Sequence, residues 1–359
     1  MDYLKDQIIT YIGNKRKILP FIERSLNQIG IKDYTFLDLF SGSGIVSRLA
    51  KVHGAKKIIA NDLEYYSMVL NSVFLRNEEG NKKEFEEMKN EILSKPLFEG
   101  WVCENYAPKD DNDIQRGERC FYTRENALII DSYIEALRNV PCEDAYMLIA
   151  PLIYEASVHT NTSGVFKGFY KNKQGIGQFG GEGKNALQRI CGKIDPQFPV
   201  FCPNETENII ISADASTVVK DTKIVEQAKG IDITYIDPPY NQHPYGSNYF
   251  MLNAIAKCKC PDEISKVSGI PKDWNRSIYN KRVEGVMQLL KDIENVDSKY
   301  VLLSYSSEAY LPIKDMVAEL AKIGLITNLQ EIDYNVFRGS RNLSNRPKKL
   351  QEYLITIRK

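Results

Sequence analysis

Apolar and polar positions along this chain follow two rhythms. Short runs rich in β-branched and aromatic residues read as buried strands. They cover Tyr34 to Phe40, Lys57 to Ala60, Glu207 to Ser212, Ile231 to Ile236, Tyr300 to Tyr305 and Leu350 to Ile357. Between the first strands, apolar residues at 18, 19, 22, 26 and 29 give a helix over Ile18 to Ile29 one apolar face, and Ile45 to Val52 reads as a second helix. Strands alternating with helices predict an α/β fold. From Glu78 to Glu207 no strand pattern recurs, and an interval of about 130 residues is too long for a loop and long enough for a domain. Inside it, Lys82 to Leu93 reads as a charged helix with a solvated face, and Ala127 to Leu137 and Ala145 to Tyr154 as buried helices. The expected division is a first part over 1–78, an insertion over 79–205 and a second part over 206–359. No internal repeat and no low-complexity segment is present.

Ligands of open α/β sheets collect at the carboxyl ends of strands, so the residues just beyond each run are the candidate site. Asp38-Leu39-Phe40-Ser41-Gly42-Ser43-Gly44 ends the first strand in a tight Gly turn that opens a helix, which lets a nucleotide-like ligand approach the backbone. Ser47 stands where a dinucleotide fingerprint has its third Gly, which disfavours NAD or FAD. Asp38 would repel a pyrophosphate and attract an amino or sulfonium cation, so the loop suits S-adenosylmethionine better. Asp62, at the end of the second strand, is placed to accept ribose hydroxyls, with a helix N-cap as the alternative. Asp214 ends the third strand, where a carboxylate can accept from an adenine amino group. In Tyr11-Ile12-Gly13-Asn14-Lys15-Arg16-Lys17, Gly13 permits a tight backbone and Lys15 offers a cation to a carboxylate or phosphate; a basic helix start on a solvated face is the plainer reading.

The fourth strand leads into Asp237-Pro238-Pro239-Tyr240. The Pro pair cannot continue a ladder and makes a stiff turn. An exocyclic amino group is a poor nucleophile because its lone pair is delocalised. The Asp237 carboxylate and Pro238 carbonyl could each accept one N–H and draw the nitrogen toward a tetrahedral shape, while Tyr240 offers a stacking face. Tyr245, Tyr249 and Phe250 are expected to close over the ring. A surface Asp before a Pro-Pro loop remains the bland alternative.

Composition narrows the partners. Lys plus Arg and Asp plus Glu are 47 each, so any nucleic-acid contact must come from local clustering. One such stretch is Asn161-Thr162-Ser163 through Lys167, Lys171 and Lys173 to a Gly-rich run, which suits a mobile loop tracking a phosphate backbone and reading base edges. The other is Arg338, Arg341, Arg346, Lys348 and Lys349, which suits a phosphate clamp. A flexible loop and a solvated basic turn are the respective alternatives. Seven scattered cysteines and three histidines give no metal-ligand spacing, so no metal site is expected. No apolar run approaches a membrane span, and the first residues lack a signal peptide's pattern; a cytoplasmic monomer is expected.

Taken in order, Tyr11 to Lys15, Asp38 to Gly44, Asn61-Asp62, a large insertion, Ser212-Ala213-Asp214 and Asp237-Pro238-Pro239-Tyr240 resemble the N6-adenine DNA methyltransferases of the Dam-like class. Asn241 to Asn253 and the segment around Asn161-Thr162-Ser163 resemble the FokI-type modification methylases of that class. The resemblance implies a Rossmann-like fold with a mostly parallel seven-stranded sheet, the seventh strand falling near Asn328 to Asp333, and a target-recognition domain carried in the insertion. It implies that Tyr11 and Lys15 flank S-adenosylmethionine, that Asp38 to Gly44 cradle its methionine part, and that Asp62 and Asp214 hold its ribose and adenine. Asp237, Pro238 and Tyr240 would hold a target adenine flipped out of double-stranded DNA. A cognate restriction endonuclease acting separately would be the expected partner in a restriction-modification system. Methylation of cytosine N4, of RNA or of a protein glutamine is the nearest rival, and Asp at 237 favours adenine over these. A degenerate, non-enzymatic nucleic-acid-binding protein is the rival from another class; it gives no reason for the cofactor-side acids to accompany Asp237-Pro238-Pro239-Tyr240.

Overall fold

The structure, a computed structural model, describes residues 2–220, 230–240, 242–335 and 349–359. The basic residues Arg338, Arg341, Arg346 and Lys348 lie outside the described residues. Seven strands form one sheet: β1 (Thr35–Asp38), β2 (Lys57–Asp62), β3 (Glu207–Ser212), β4 (Ile231–Ile236), β5 (Ser298–Ser306), β6 (Leu325–Asn335) and β7 (Lys349–Arg358). Their order is β3-β2-β1-β4-β5-β7-β6. The first five run parallel, and β7 enters antiparallel between β5 and β6. The mostly parallel sheet and its seventh strand therefore stand as expected.

Strand residues alternate between two covered faces, as parallel strands buried on both sides must. Phe36, Ile58, Tyr235, Leu302 and Leu354 pack with α1 (Leu19–Ile29) and α2 (Ile45–Val52). Their neighbours Leu37, Ile59, Ile236, Leu303 and Ile355 face the other way, toward α9 (Ala215–Lys220), α12 (Arg282–Asn295) and α13 (Ile313–Ile323). The chain runs outward from β1 to β3 and then returns to β4 on the far side of β1. The loops leaving β1 and β4 thus diverge, and a crevice opens at their carboxyl ends.

After β2 and α3 (Tyr65–Phe74) come α4 (Lys82–Ser94), α5 (Trp101–Tyr106), α6 (Arg124–Leu137), α7 (Cys142–Val158) and α8 (Leu187–Ile190). The first of these starts where Asn81 accepts from the amides of Lys83 and Glu84, a side-chain cap. Buried residues of the insertion, among them Phe121, Tyr133, Ile149 and Ile153, share one core with Tyr66, Val69 and Leu70 of α3. Phe250 and Met251 of α11 (Phe250–Ala256), which follows the short helix α10 (Tyr245–Asn248), belong to it too. No helix among the described residues is long and apolar enough to cross a membrane.

Candidate functional site

Three strand ends are stitched together before any ligand is considered. Asn61, buried at the end of β2, donates through Nδ2 to the carbonyls of Leu39 and Ala213 at 3.0 and 3.2 Å, and its Oδ1 accepts from the Ala213 amide. The Gly turn after β1 closes with the Gly44 amide donating to the Ser41 carbonyl at 2.7 Å. Gly42 and Gly44 have φ of +51° and +75°, a region costly for side-chained residues. A Cβ on Gly42 would also lie 2.1 Å from the Tyr11 hydroxyl oxygen, which accepts from the Ser43 amide at 3.2 Å. Gly42→Ala must strain the turn and push Tyr11 away. A stability loss of more than about 1 kcal/mol is expected in denaturant unfolding, and a wild-type midpoint would show that the turn tolerates a side chain.

Two cavities open at these strand ends. The larger is lined by Tyr11, Phe40, Gly42, Asn61, Asp62, Glu64, Asp214, Asp237, Pro239, Tyr245, Asn275, Ser277 and Tyr279, among others. The smaller is lined by Ile12, Gly13, Asp237, Pro238, Pro239, Tyr240, His243, Tyr245 and Asn248. Asp237, Pro239 and Tyr245 belong to both, so the two spaces meet at one carboxylate. Residues 11–13 form part of the partition: the Tyr245 hydroxyl donates to the Ile12 carbonyl at 2.8 Å, and the Ile12 amide donates to the Tyr249 hydroxyl at 2.7 Å. The Tyr11 ring meets both tyrosines edge-on at 5.7 Å.

Several expected site residues sit elsewhere. Asp38, Ser41, Ser43 and Gly44 stand behind the lining; Asp38 is buried, accepting from the Ser47 hydroxyl at 2.7 Å. Lys15 does not reach the larger cavity's lining. Its ammonium lies 3.0 Å from Asp237 Oδ1 and 2.5 Å from Glu352 Oε1, because the 3-10 turn Lys15–Ile18 carries it under the β4 end. Of the three aromatics expected over the target ring, Tyr245 lines the cavities, whereas Tyr249 and Phe250 are buried in the helical core. Asn161 and Thr162, expected in a base-reading loop, are buried too. The Asn161 side chain ties Cys120 to Gly180. The following turn closes on itself, with Asn172 Oδ1 accepting from the amides of Gln174 and Ile176. Lys167, Lys171 and Lys173 are exposed beside it; Lys171 lies over the Phe169 ring, and Lys173 pairs with Glu182. Glu64, Asn275, Ser277 and Tyr279 on the lining were missed, since no strand-end rule reaches them. Among the described residues no His, Cys, Asp or Glu cluster could hold a metal ion.

The larger cavity's described lining holds four carboxylates, Asp62, Glu64, Asp214 and Asp237, and no Lys, Arg or His. Burial pushes Asp237 and Glu64 up to about 7 and Asp62 to about 6. Behind them Asp38 also rises to about 7, first by burial, with the charges of Asp237 and Asp62 adding and the Ser47 hydrogen bond opposing. A carboxyl with a raised folded pKa keeps its proton in the native state where the unfolded chain has lost it. The stability it contributes is complete below the unfolded value near 4 and is lost as pH rises through about 6 to 7. Scanning calorimetry of the ligand-free protein is therefore expected to give a higher thermal midpoint at pH 6 than at pH 8. A midpoint that falls over that acidification would contradict the raised acids.

The chain matches the family model described as D12 class N6 adenine-specific DNA methyltransferase over residues 11–188 and 201–318. It is 29% identical over 362 residues to the type II methyltransferase M.NlaIII of Neisseria lactamica, covering 98% of this chain and 99% of that protein. It is 31% identical over 356 residues to M.CviAII of Paramecium bursaria Chlorella virus 1, covering 97% and 98%. Against M.FokI of Planomicrobium okeanokoites the identity is 28%, over 97% of this chain and 52% of that longer protein. The family match takes in the β1 turn, the β2 and β3 ends and the Asp237 loop that surround the two joined cavities, and the chain belongs to the D12 class of N6 adenine-specific DNA methyltransferases.

Proposed function

We propose that the larger cavity holds S-adenosylmethionine, that the smaller receives an adenine flipped from double-stranded DNA, and that the protein is the site-specific modification enzyme of a restriction-modification system. The observation carrying this reading is that the two cavities share Asp237, Pro239 and Tyr245. The cofactor fits by charge: a lining with four carboxylates and no cation among the described residues suits a sulfonium and an ammonium, and is hostile to a pyrophosphate. Phe40 and Tyr279, rings 5.0 Å apart and perpendicular, offer apolar surface in the same lining as Asp214. Asp62 would receive the ribose. Its oxygens already accept from the Gly42 and Glu64 amides at 2.8 Å each, which fixes the carboxylate's orientation.

S-adenosylmethionine, when bound, supplies an electrophilic methyl group on a positively charged sulfur. Asp237 and the Pro238 carbonyl accept the two N–H groups of the target amine and turn its lone pair toward the larger cavity; Tyr240 stacks on the base. Hydrogen bonds to an amine strengthen as it becomes cationic, so their effect falls on the chemical step. Asp237, raised to about 7, is placed to take the proton that the methylated nitrogen gives up. Exposed Lys167, Lys171 and Lys173 and the basic residues from Arg338 to Lys348 are proposed to contact DNA, and the insertion to choose the sequence. Single-molecule sequencing of DNA from a host expressing the protein is expected to show N6-methyladenine at one short motif. Methylation on cytosine N4, or none from a folded protein, would sink the reading.

A further inference from the structure

One buried carboxylate has no part in the chemistry above. Glu352 is 7% exposed and stands on β7, paired with Ser306 of β5 on one side and Ile332 of β6 on the other. Its Oε1 accepts from Lys15 Nζ at 2.5 Å and from the Ser304 hydroxyl at 3.0 Å, while the same ammonium lies 3.0 Å from Asp237 Oδ1. An ion pair of Lys15 with Asp237 alone would be neutral and would commit the carboxylate to the lysine. Glu352 divides the ammonium between two carboxylates, so with both acids ionised the trio carries a net charge of −1. A second buried carboxylate is costly and adds nothing to packing that an apolar side chain would not supply. Its presence one lysine away from Asp237, the carboxylate at which the two cavities meet, calls for a role in the chemistry.

We propose that Glu352 is a positioning residue for methyl transfer: by sharing Lys15 it fixes one oxygen of Asp237 without neutralising the carboxylate, so that negative charge remains where the target amine becomes cationic. This rests on the reading of Asp237 as the amine's acceptor. The trio is carried on the Lys15 turn, the β4 end and β7. The other groups around it are Asp38 from β1, Asp62 from β2, Tyr235 and Tyr240 from the β4 segment, Tyr11, Tyr245, and Ser304 from β5. Burial keeps all four phenols un-ionised. Beneath the dominant effect of burial, Lys15 lowers the proton affinity of Asp237 and Glu352 raises it. Asp38 titrates in the same range, raised by burial first and then by the charges of Asp237 and Asp62.

The test is single-turnover methylation of duplex DNA carrying the site found by sequencing, followed from about pH 5.5 to 9 with saturating S-adenosylmethionine. Glu352→Gln removes the charge that raises Asp237, so the acid limb of the profile should move down by about one pH unit. The plateau rate should fall about tenfold, and the dissociation constants for DNA and cofactor should stay within about twofold. Glu352→Asp keeps the charge and should restore the wild-type limb. A Glu352→Gln profile superimposed on wild type, or a slower rate with an unmoved limb, overturns the proposal and leaves Glu352 a structural residue. Should Glu352→Gln not fold, Ser304→Ala decides: it removes the hydroxyl that holds Oε1 and is expected to slow the plateau several-fold at unchanged affinities, and a wild-type rate overturns the proposal. Failure of the wild type to methylate adenine would sink the functional reading instead, so the two failures are distinguishable.

Discussion

Asp237→Ala is expected to slow single-turnover methylation by at least about a hundredfold, the scale on which one preorganised hydrogen-bonding group acts at a reaction centre. The carboxylate lines both cavities and is held by Lys15 through one oxygen, so its loss removes the acceptor from the only described junction between them. The interaction strengthens as charge develops on the amine, and the loss should therefore appear in the rate and hardly in DNA affinity. Asp237→Asn retains an acceptor oxygen but no charge, and should fall between wild type and Ala. Rapid-quench assays under enzyme excess measure this directly. A variant that methylates at the wild-type rate would remove Asp237 from the chemistry.

Lys15→Met is expected to cost about 3 to 5 kcal/mol of stability at pH 8, because it leaves Asp237 and Glu352 buried and facing each other without their cation. Against the pull of burial, those two carboxylates hold the Lys15 ammonium well above the usual lysine range, so it stays charged throughout the accessible pH. Without it the proton affinity of Asp237, which Lys15 lowers, rises further. The variant should regain stability as pH falls from 8 to 6, and by more than wild type does. Urea unfolding at both pH values tests this, and an equal deficit at each would show that the lysine acts by packing alone. Affinity for S-adenosylmethionine should change less than about threefold, since Lys15 is absent from the larger cavity's lining. A collapse of cofactor affinity would return Lys15 to the role its motif suggested.

Much of the fold was legible in the sequence because strands in a doubly covered parallel sheet are continuous apolar runs, and the residues that end them are chemically marked. Glu207–Ser212 and Ile231–Ile236 match their predicted bounds, as does the helix Ile45–Val52. The helix expected over Ala145 to Tyr154 extends to Cys142–Val158; Pro141 precedes it, and Pro151 lies inside it without ending it. An internal Pro and a polar first turn hide such bounds from periodicity.

The sequence by itself determined the α/β series, the strand-end loops carrying Gly42, Asp62, Asp214 and Asp237, and the class of chemistry, since each is written in a few consecutive residues. Tertiary structure alone decided that Lys15 serves Asp237, that Glu352 completes the trio, and that the insertion shares its core with α3 and α11. It also sent Tyr249 inward and left Tyr245 on the cavities. The physical reason is register. Lys15 and Glu352 meet because β7 runs antiparallel between β5 and β6 with Glu352 paired to Ser306, and a one-residue slip would turn that carboxylate to the opposite face of the sheet.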